Sequence, residues 1–136
     1  EDLKPLSRTA SGGELSRLML GLKVIFTRLA GIQTVIFDEI DTGVSGPVAT
    51  SIGRKMRELA QNCQVFSVTH LSPVAATAEA LYFVSKSEED GRTHTHVRQL
   101  EGDAIIEQLA MIASGEVTKT SIAAARELYE RNQAHS

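Results

Sequence analysis

From Glu14 to about Ala30, the apolar residues Leu15, Leu18, Met19, Leu22, Ile25, Phe26 and Leu29 recur at three- and four-residue steps. This is the spacing of an amphipathic helix, and Gly31 supplies its stop. The pattern then changes. In TVIFDEID, Val35, Ile36 and Phe37 form a continuous apolar run, as expected of a strand buried on both faces. TGVSGP is turn chemistry, and Pro47 suits the first position of a new helix. That helix is expected to carry Val48, Ile52, Met56 and Leu59 inward and to end near Asn62. QVFSVTH reads as a second buried strand closing on His70. Two buried strands joined by a helix predict a right-handed βαβ unit of a parallel sheet.

Beyond it, SPVAATAEA predicts a short helix from Pro73. LYFVSK and THTHVRQL flank a polar turn with Asp90-Gly91, which predicts an antiparallel hairpin whose SEEDGR tip is solvated. Two helices, near Ile105–Ala113 and Thr120–Asn132, finish the chain and are expected to pack on the sheet. The fold class is α/β: a parallel βαβ core with a hairpin and C-terminal helices. There is no internal repeat, low-complexity tract or interdomain linker.

With 136 residues, 42% of them hydrophobic and 23% charged, the chain can bury one core as an ordinary globular domain. The net charge of -3 provides no basic field that would by itself announce a nucleic-acid surface. Cys63 is the single cysteine and has Asn62 and Gln64 as neighbours, so an inert thiol in a reducing cytosol is expected, without an intrachain disulfide. No apolar run reaches bilayer length, so no membrane partner is expected, and no signal peptide precedes Leu3. The sequence starts at Glu1 without a methionine and is read as a piece of something longer.

Three features carry candidate chemistry, each at a helix start or at the carboxyl end of a strand, the edge where open parallel sheets bind ligands. In TASGGELSRLML, Ser11 can cap a helix, with Glu14 three residues on completing a capping box. Gly12 and Gly13 cost such a helix about 1 kcal/mol each, but glycines let a backbone approach a ligand, and helix-start N–H groups attract anions. Asp38 and Glu39 follow the first strand, where one carboxylate can hold Mg²⁺ through water and the other can orient a nucleophilic water. In a partly dry site, mutual repulsion would suit one of them to general-base work; solvated loop acids are the plainer reading. His70, ending the second strand, is either structural or a donor to a phosphate oxygen. His94 and His96 alternate on one strand and face the same side, but no third metal ligand is evident nearby. Arg8, Arg17, Arg28, Arg54 and Arg57 are scattered, as solvated helix faces or carboxylate partners would be.

In order, these motifs resemble the ATP-binding-cassette ATPases: SGGELSR looks like the signature (11–17), TVIFDE like the Walker B strand (34–39), DTGVSG like the D-loop (41–46) and VTH like the switch-histidine loop. Glu14, and Ile40-Asp41 after the Walker B glutamate, are similar to the chromosome-maintenance (SMC-like) and repair branch. Within it, ASGGELSRLML, FDEIDTGVSG, VTHLSPVAA, DGRTHTHVRQL and the closing IEQLAMIASGEVTKTSIAAAREL resemble the bacterial double-strand-break repair family RecN. Ser72-Pro73 stands where that family's pattern has Pro-Gln.

The resemblance implies the C-terminal half of a P-loop NTPase head, with residues 1–136 as one lobe. No glycine in the chain is followed by lysine, so the Walker A cradle is absent. It implies ATP and Mg²⁺ as cofactors, with Ser11, Gly12, Gly13 and Glu14 closing over the γ-phosphate of an opposing head. It also implies that Asp38 supports Mg²⁺, Glu39 polarises the attacking water, His70 steadies the γ-phosphate and Asp41 couples the paired sites. The implied partners are the N-terminal Walker A half of the same polypeptide, a second head as homodimer, and DNA through the full-length protein in the cytoplasm, at the nucleoid. The implied function is ATP-driven head dimerisation and hydrolysis in DNA double-strand-break repair and recombination, with the lobe inactive by itself. The head of another SMC-family chromosome-maintenance ATPase, or a non-catalytic head-pairing module, are the alternatives.

Overall fold

Parallel pairing of two short strands organises the first half of the chain. The computed structural model describes residues 12–39, 43–44 and 46–134, without the side chains of residues 12–19 and 26. Strands β1 (Thr34–Asp38) and β2 (Gln64–Val68) run parallel, with Val35 against Val65 and Asp38 against Val68. Helix α1 (Gly12–Ala30) precedes β1, and helix α2 (Gly46–Leu59) joins β1 to β2 in the expected order. α1 ends at Gly31, whose φ of 64° is left-handed backbone that a residue without Cβ adopts at no steric cost. α2 buries Ala49, Ile52, Met56 and Leu59. These pack with Val35 and Phe37 of β1 and with Leu20 of α1. Phe37 is fully buried, and sealing such a ring from water contributes about 2–3 kcal/mol.

Two expectations for this half need correction. β1 and β2 are covered on one face only: Val35 and Phe37 are buried, whereas Ile36, Phe66 and Val68 are 62%, 48% and 55% exposed. The apolar run does mark a strand suited to two-sided burial, but α1 and α2 both join the cluster on the Val35–Phe37 side. Helix α1 is also turned from its expected setting. Leu20 and Thr27 face the core, while Leu22, Ile25 and Leu29 are exposed. Lys23 shows why: its Nζ donates to the Ile36 carbonyl at 3.3 Å and lies 5.0 Å from the centre of the Phe37 ring. That bond and cation–π contact hold the Leu20–Lys23–Thr27 side of the helix against β1.

The second half builds a separate apolar cluster. After the short helix α3 (Ser72–Ala75) come strands β3 (Leu81–Glu89) and β4 (Arg92–Leu100), then helices α4 (Asp103–Ser114) and α5 (Lys119–Gln133). The hairpin pairs Leu81 with Leu100 and Glu89 with Arg92. Asp90 and Gly91 both take positive φ, 51° and 73°, the two-residue turn that matches strand twist. Ala75, Ala76, Ile106, Leu109, Ala110 and Ala125 form the core here, with Leu81 against it. The C-terminal helices therefore pack on one another and on α3, rather than on the parallel sheet as expected. Alanines on all three segments keep the backbones close enough for this.

A polar clamp ties the two halves. Arg57, in the last turn of α2, donates to the Thr77 carbonyl at 2.6 Å and to Gln133 Oε1 at 3.3 Å. Gln133 Nε2 in turn donates to the carbonyls of Ala76 (2.9 Å) and Ala78 (3.0 Å). Carbonyls left over as α3 ends thus receive partners from both flanking helices.

Gly53 marks the closest approach between α2 and the α3 turn. A Cβ there would stand 2.8 Å from Thr77 Cγ2 and 3.2 Å from the Pro73 carbonyl oxygen. Gly53→Ala is expected to destabilise the chain by about 1–2 kcal/mol in urea unfolding, although alanine is the better helix former. Thr77→Ser, which deletes Cγ2, should cost less in that background than in the wild type, because the two changes share one contact.

β1 ends on an unusual residue. Glu39 takes φ 52°, a left-handed conformation that an L-residue with a long side chain rarely adopts. Glu39→Gly is accordingly expected to be about 1 kcal/mol more stable than Glu39→Ala, both lacking the carboxylate. Equal unfolding midpoints would show that the backbone there relaxes freely.

Candidate functional site

The carboxyl ends of β1 and β2 lie side by side, and Asp38, Glu39 and the chain leading to His70 come together there. Asp38 is the last residue of β1, in register with Val68, the last of β2. The Glu39 N–H donates to the Val68 carbonyl at 3.1 Å, adding one rung beyond the strands. His70 follows Val68 by two residues, and the Thr69 hydroxyl between them accepts the Leu71 N–H at 3.1 Å. This turn closes β2 and starts the approach to α3. Backbone pairing puts the Asp38-Glu39 pair on the same edge as the strand end that leads to His70.

All three side chains are exposed. The partly dry site expected from the sequence is therefore not built by the described residues. The arrangement offers oxygen donors and an imidazole on an open edge where a ligand can supply the missing wall. Among the described residues no group of three or more His, Cys, Asp or Glu side chains could hold a metal ion. A hard divalent cation would fit only with water and ligand oxygens completing the carboxylate donors, as Mg²⁺ habitually has them. His96 of the hairpin instead shares a hydrogen bond with Ser87 Oγ at 2.9 Å.

Gly12 and Gly13 are the first residues of the 19-residue helix α1. Their N–H groups belong to the first turn, where the chain itself makes no helical bonds, so an anion can take them. Ser11 and Asp41 lie outside the described residues, as does the Glu14 side chain. Two contributors to the edge escaped sequence reasoning. The left-handed backbone at Glu39 has no compositional marker, because glycine is the usual sign of such a position. Thr69 was legible in principle, since a hydroxyl residue two before an N–H to be capped is a known turn former.

No family model matches the chain. Sequence relatives are plentiful. It is 47% identical over 131 residues to the DNA repair protein RecN of Halalkalibacterium halodurans, covering 96% of this chain and 23% of that protein. It is 44% identical to the RecN proteins of Deinococcus radiodurans and Bacillus subtilis, over 94% and 96% of this chain and 22% and 23% of theirs. The chain thus spans about a quarter of the length of the curated relatives it matches. A solved chain from work on ATP-driven dimerization and DNA-stimulated activation of SMC ATPases aligns with TM-score 0.64 at 16% identity, over 86% of this chain and 70% of that one. At that identity the likeness speaks for fold alone: over the aligned residues this chain shares the fold of that solved chain. With identity this high along nearly all its residues, the chain belongs to the RecN family, as a segment of it.

Proposed function

We propose that the chain is the C-terminal lobe of an ATP-binding-cassette head in a DNA double-strand-break repair and recombination protein. On this reading it is an ATPase component that is inactive until it joins the N-terminal half carrying the Walker A cradle. The observation that carries the reading is the extra rung at the strand ends. The Glu39 N–H to Val68 carbonyl bond aligns an acidic pair with the strand that leads to His70, within a RecN-family segment. An exposed two-sided edge of this kind is suited to a nucleotide clamped between two heads.

The roles follow from chemistry and position. Glu39, its side chain turned by the left-handed backbone, accepts a proton from the attacking water and orients it. His70 donates to a γ-phosphate oxygen from the neighbouring strand end. Gly12 and Gly13, with Ser11 and Glu14, present helix-start donors to the γ-phosphate of the opposing head, so that nucleotide joins two copies. Asp41 couples the paired sites. Mg²⁺, when bound, neutralises phosphate charge, and Asp38 is the carboxylate that would hold it through water. The further partners are a second head and DNA through the complete polypeptide, and the setting is the cytoplasm, at the nucleoid. No helix among the described residues is long and apolar enough to cross a membrane.

Glu39→Gln in the full-length protein is expected to lower ATP turnover by about 10²–10⁴-fold, the span ascribed to one general base, while ATP-bound dimers accumulate in size-exclusion chromatography. Normal turnover by this variant overturns the role of Glu39. Ser11→Trp should leave nucleotide affinity intact and abolish ATP-dependent pairing; a variant that still pairs removes the signature from the opposing site. Calorimetric titration of Mg·ATP should give heat only when this chain is mixed with the N-terminal half.

A further inference from the structure

Among the described residues, helix α1 is apolar on two sides, and only one is packed. Its inner side carries Leu20 and Thr27, 3% and 6% exposed, against β1 and α2. On the outer side Leu22, Ile25 and Leu29 are 42%, 55% and 81% exposed. In the sequence, Leu15, Leu18, Leu22, Ile25 and Leu29 follow one apolar spacing, with Ile32 just past the helix end. The steps are three, four, three, four and three, the seam of a helix that packs along another helix. Gly21 lies beside this row, three residues after Leu18 and four before Ile25. A Cβ at Gly21 would meet nothing within 4 Å, and its φ is not left-handed. A glycine inside a helix costs about 1 kcal/mol relative to alanine, and neither its backbone nor its described neighbours require one here. A partner backbone passing close to the seam does require it.

We propose that the Leu22–Ile25–Leu29 seam, with Gly21 as its point of closest approach, seats an α-helix from another part of the same polypeptide. Relatives are about four times as long as this chain, so most of the polypeptide lies outside it. Area favours this occupant over a second copy. A 19-residue helix is about 28 Å long, and a one-helix-wide stripe on each of two copies would bury on the order of 600 Å², against roughly 1,000 Å² or more for a stable specific interface. A covalently connected helix escapes that requirement, because its effective concentration is on the order of millimolar. Charge agrees with a dry seam: Arg28, at its flank, is engaged with Glu58 of α2 at 3.4 Å.

The proposal deepens the two-part head reading and rests on it only for the existence of further chain; its readout needs no nucleotide. In the full-length protein, with Cys63 replaced by serine, single cysteines at Ile25 and Leu29 would be labelled with a maleimide and followed by peptide mass spectrometry. The comparison site is Arg54→Cys, exposed on α2. Labelling at Ile25→Cys and Leu29→Cys is expected to be at least tenfold slower than at Arg54→Cys and independent of protein concentration. Gly21→Trp should restore fast labelling at Ile25→Cys, whereas Gly21→Ala should not. Labelling as fast as at Arg54→Cys overturns the proposal, and protection lost on dilution assigns the seam to a second copy and overturns it equally. Protection with normal ATP turnover, or without any, supports the seam alike, so failure of the ATPase reading is separately visible.

Discussion

The parallel pairing of β1 with β2 is the constraint on which the rest depends. Each rung fixes a residue of one strand against a residue of the other, and the last one, Glu39 N–H to the Val68 carbonyl, is made after β1 has formally ended. A slip of one residue would turn Phe37 outward and bring Ile36 to the helices. It would also move the acidic pair away from the strand end that leads to His70. Core and edge chemistry are thus set by the same register: burying Val35 and Phe37 under α2 is what decides where Asp38 stops.

Element order and type were legible because each element has its own local cause. Helical repeats, the Gly31 stop, the Asp90-Gly91 turn and the Val35–Phe37 run all act within a few residues. The family was legible for the same reason, since its motifs are short, ordered and chemically odd. What the sequence did not reveal are the choices made between elements. Either side of α1 could serve as the inner one by periodicity; the Lys23 bond to Ile36 and its contact with Phe37 decide for the Leu20–Thr27 side. The C-terminal helices could have covered the sheet, but Ala75, Ala76, Ala110 and Ala125 let them gather around α3. At the site, Glu39 was legible as an acid and illegible as a left-handed residue, because glycine is the usual sign of that conformation.

The surfaces left open belong to one pattern. Ile36, Phe66 and Val68 on the sheet, and Leu22, Ile25 and Leu29 on α1, are apolar positions with correct periodicity and no cover among the described residues. Scattered exposed apolar residues are ordinary. A sheet face and a helix row, each with several exposed apolar residues at regular spacing, mark surfaces suited to further packing. The explanation proposed above is a core completed by further chain; about three quarters of the relatives' length lies outside the matched segment.

Completion from outside also bears on how the edge works. Asp38 ends β1, and Glu39 and His70 lie just beyond strands whose outer face is open, so the stiffness of the edge depends on what closes that face. The chain's own contribution is a register and a left-handed residue; on the proposed function, the dry, rigid surroundings that give a carboxylate catalytic force come with the remaining wall. On that reading, separating the edge from its cover couples assembly to chemistry, because the groups are held from the start and gain their full effect only once the second part is seated.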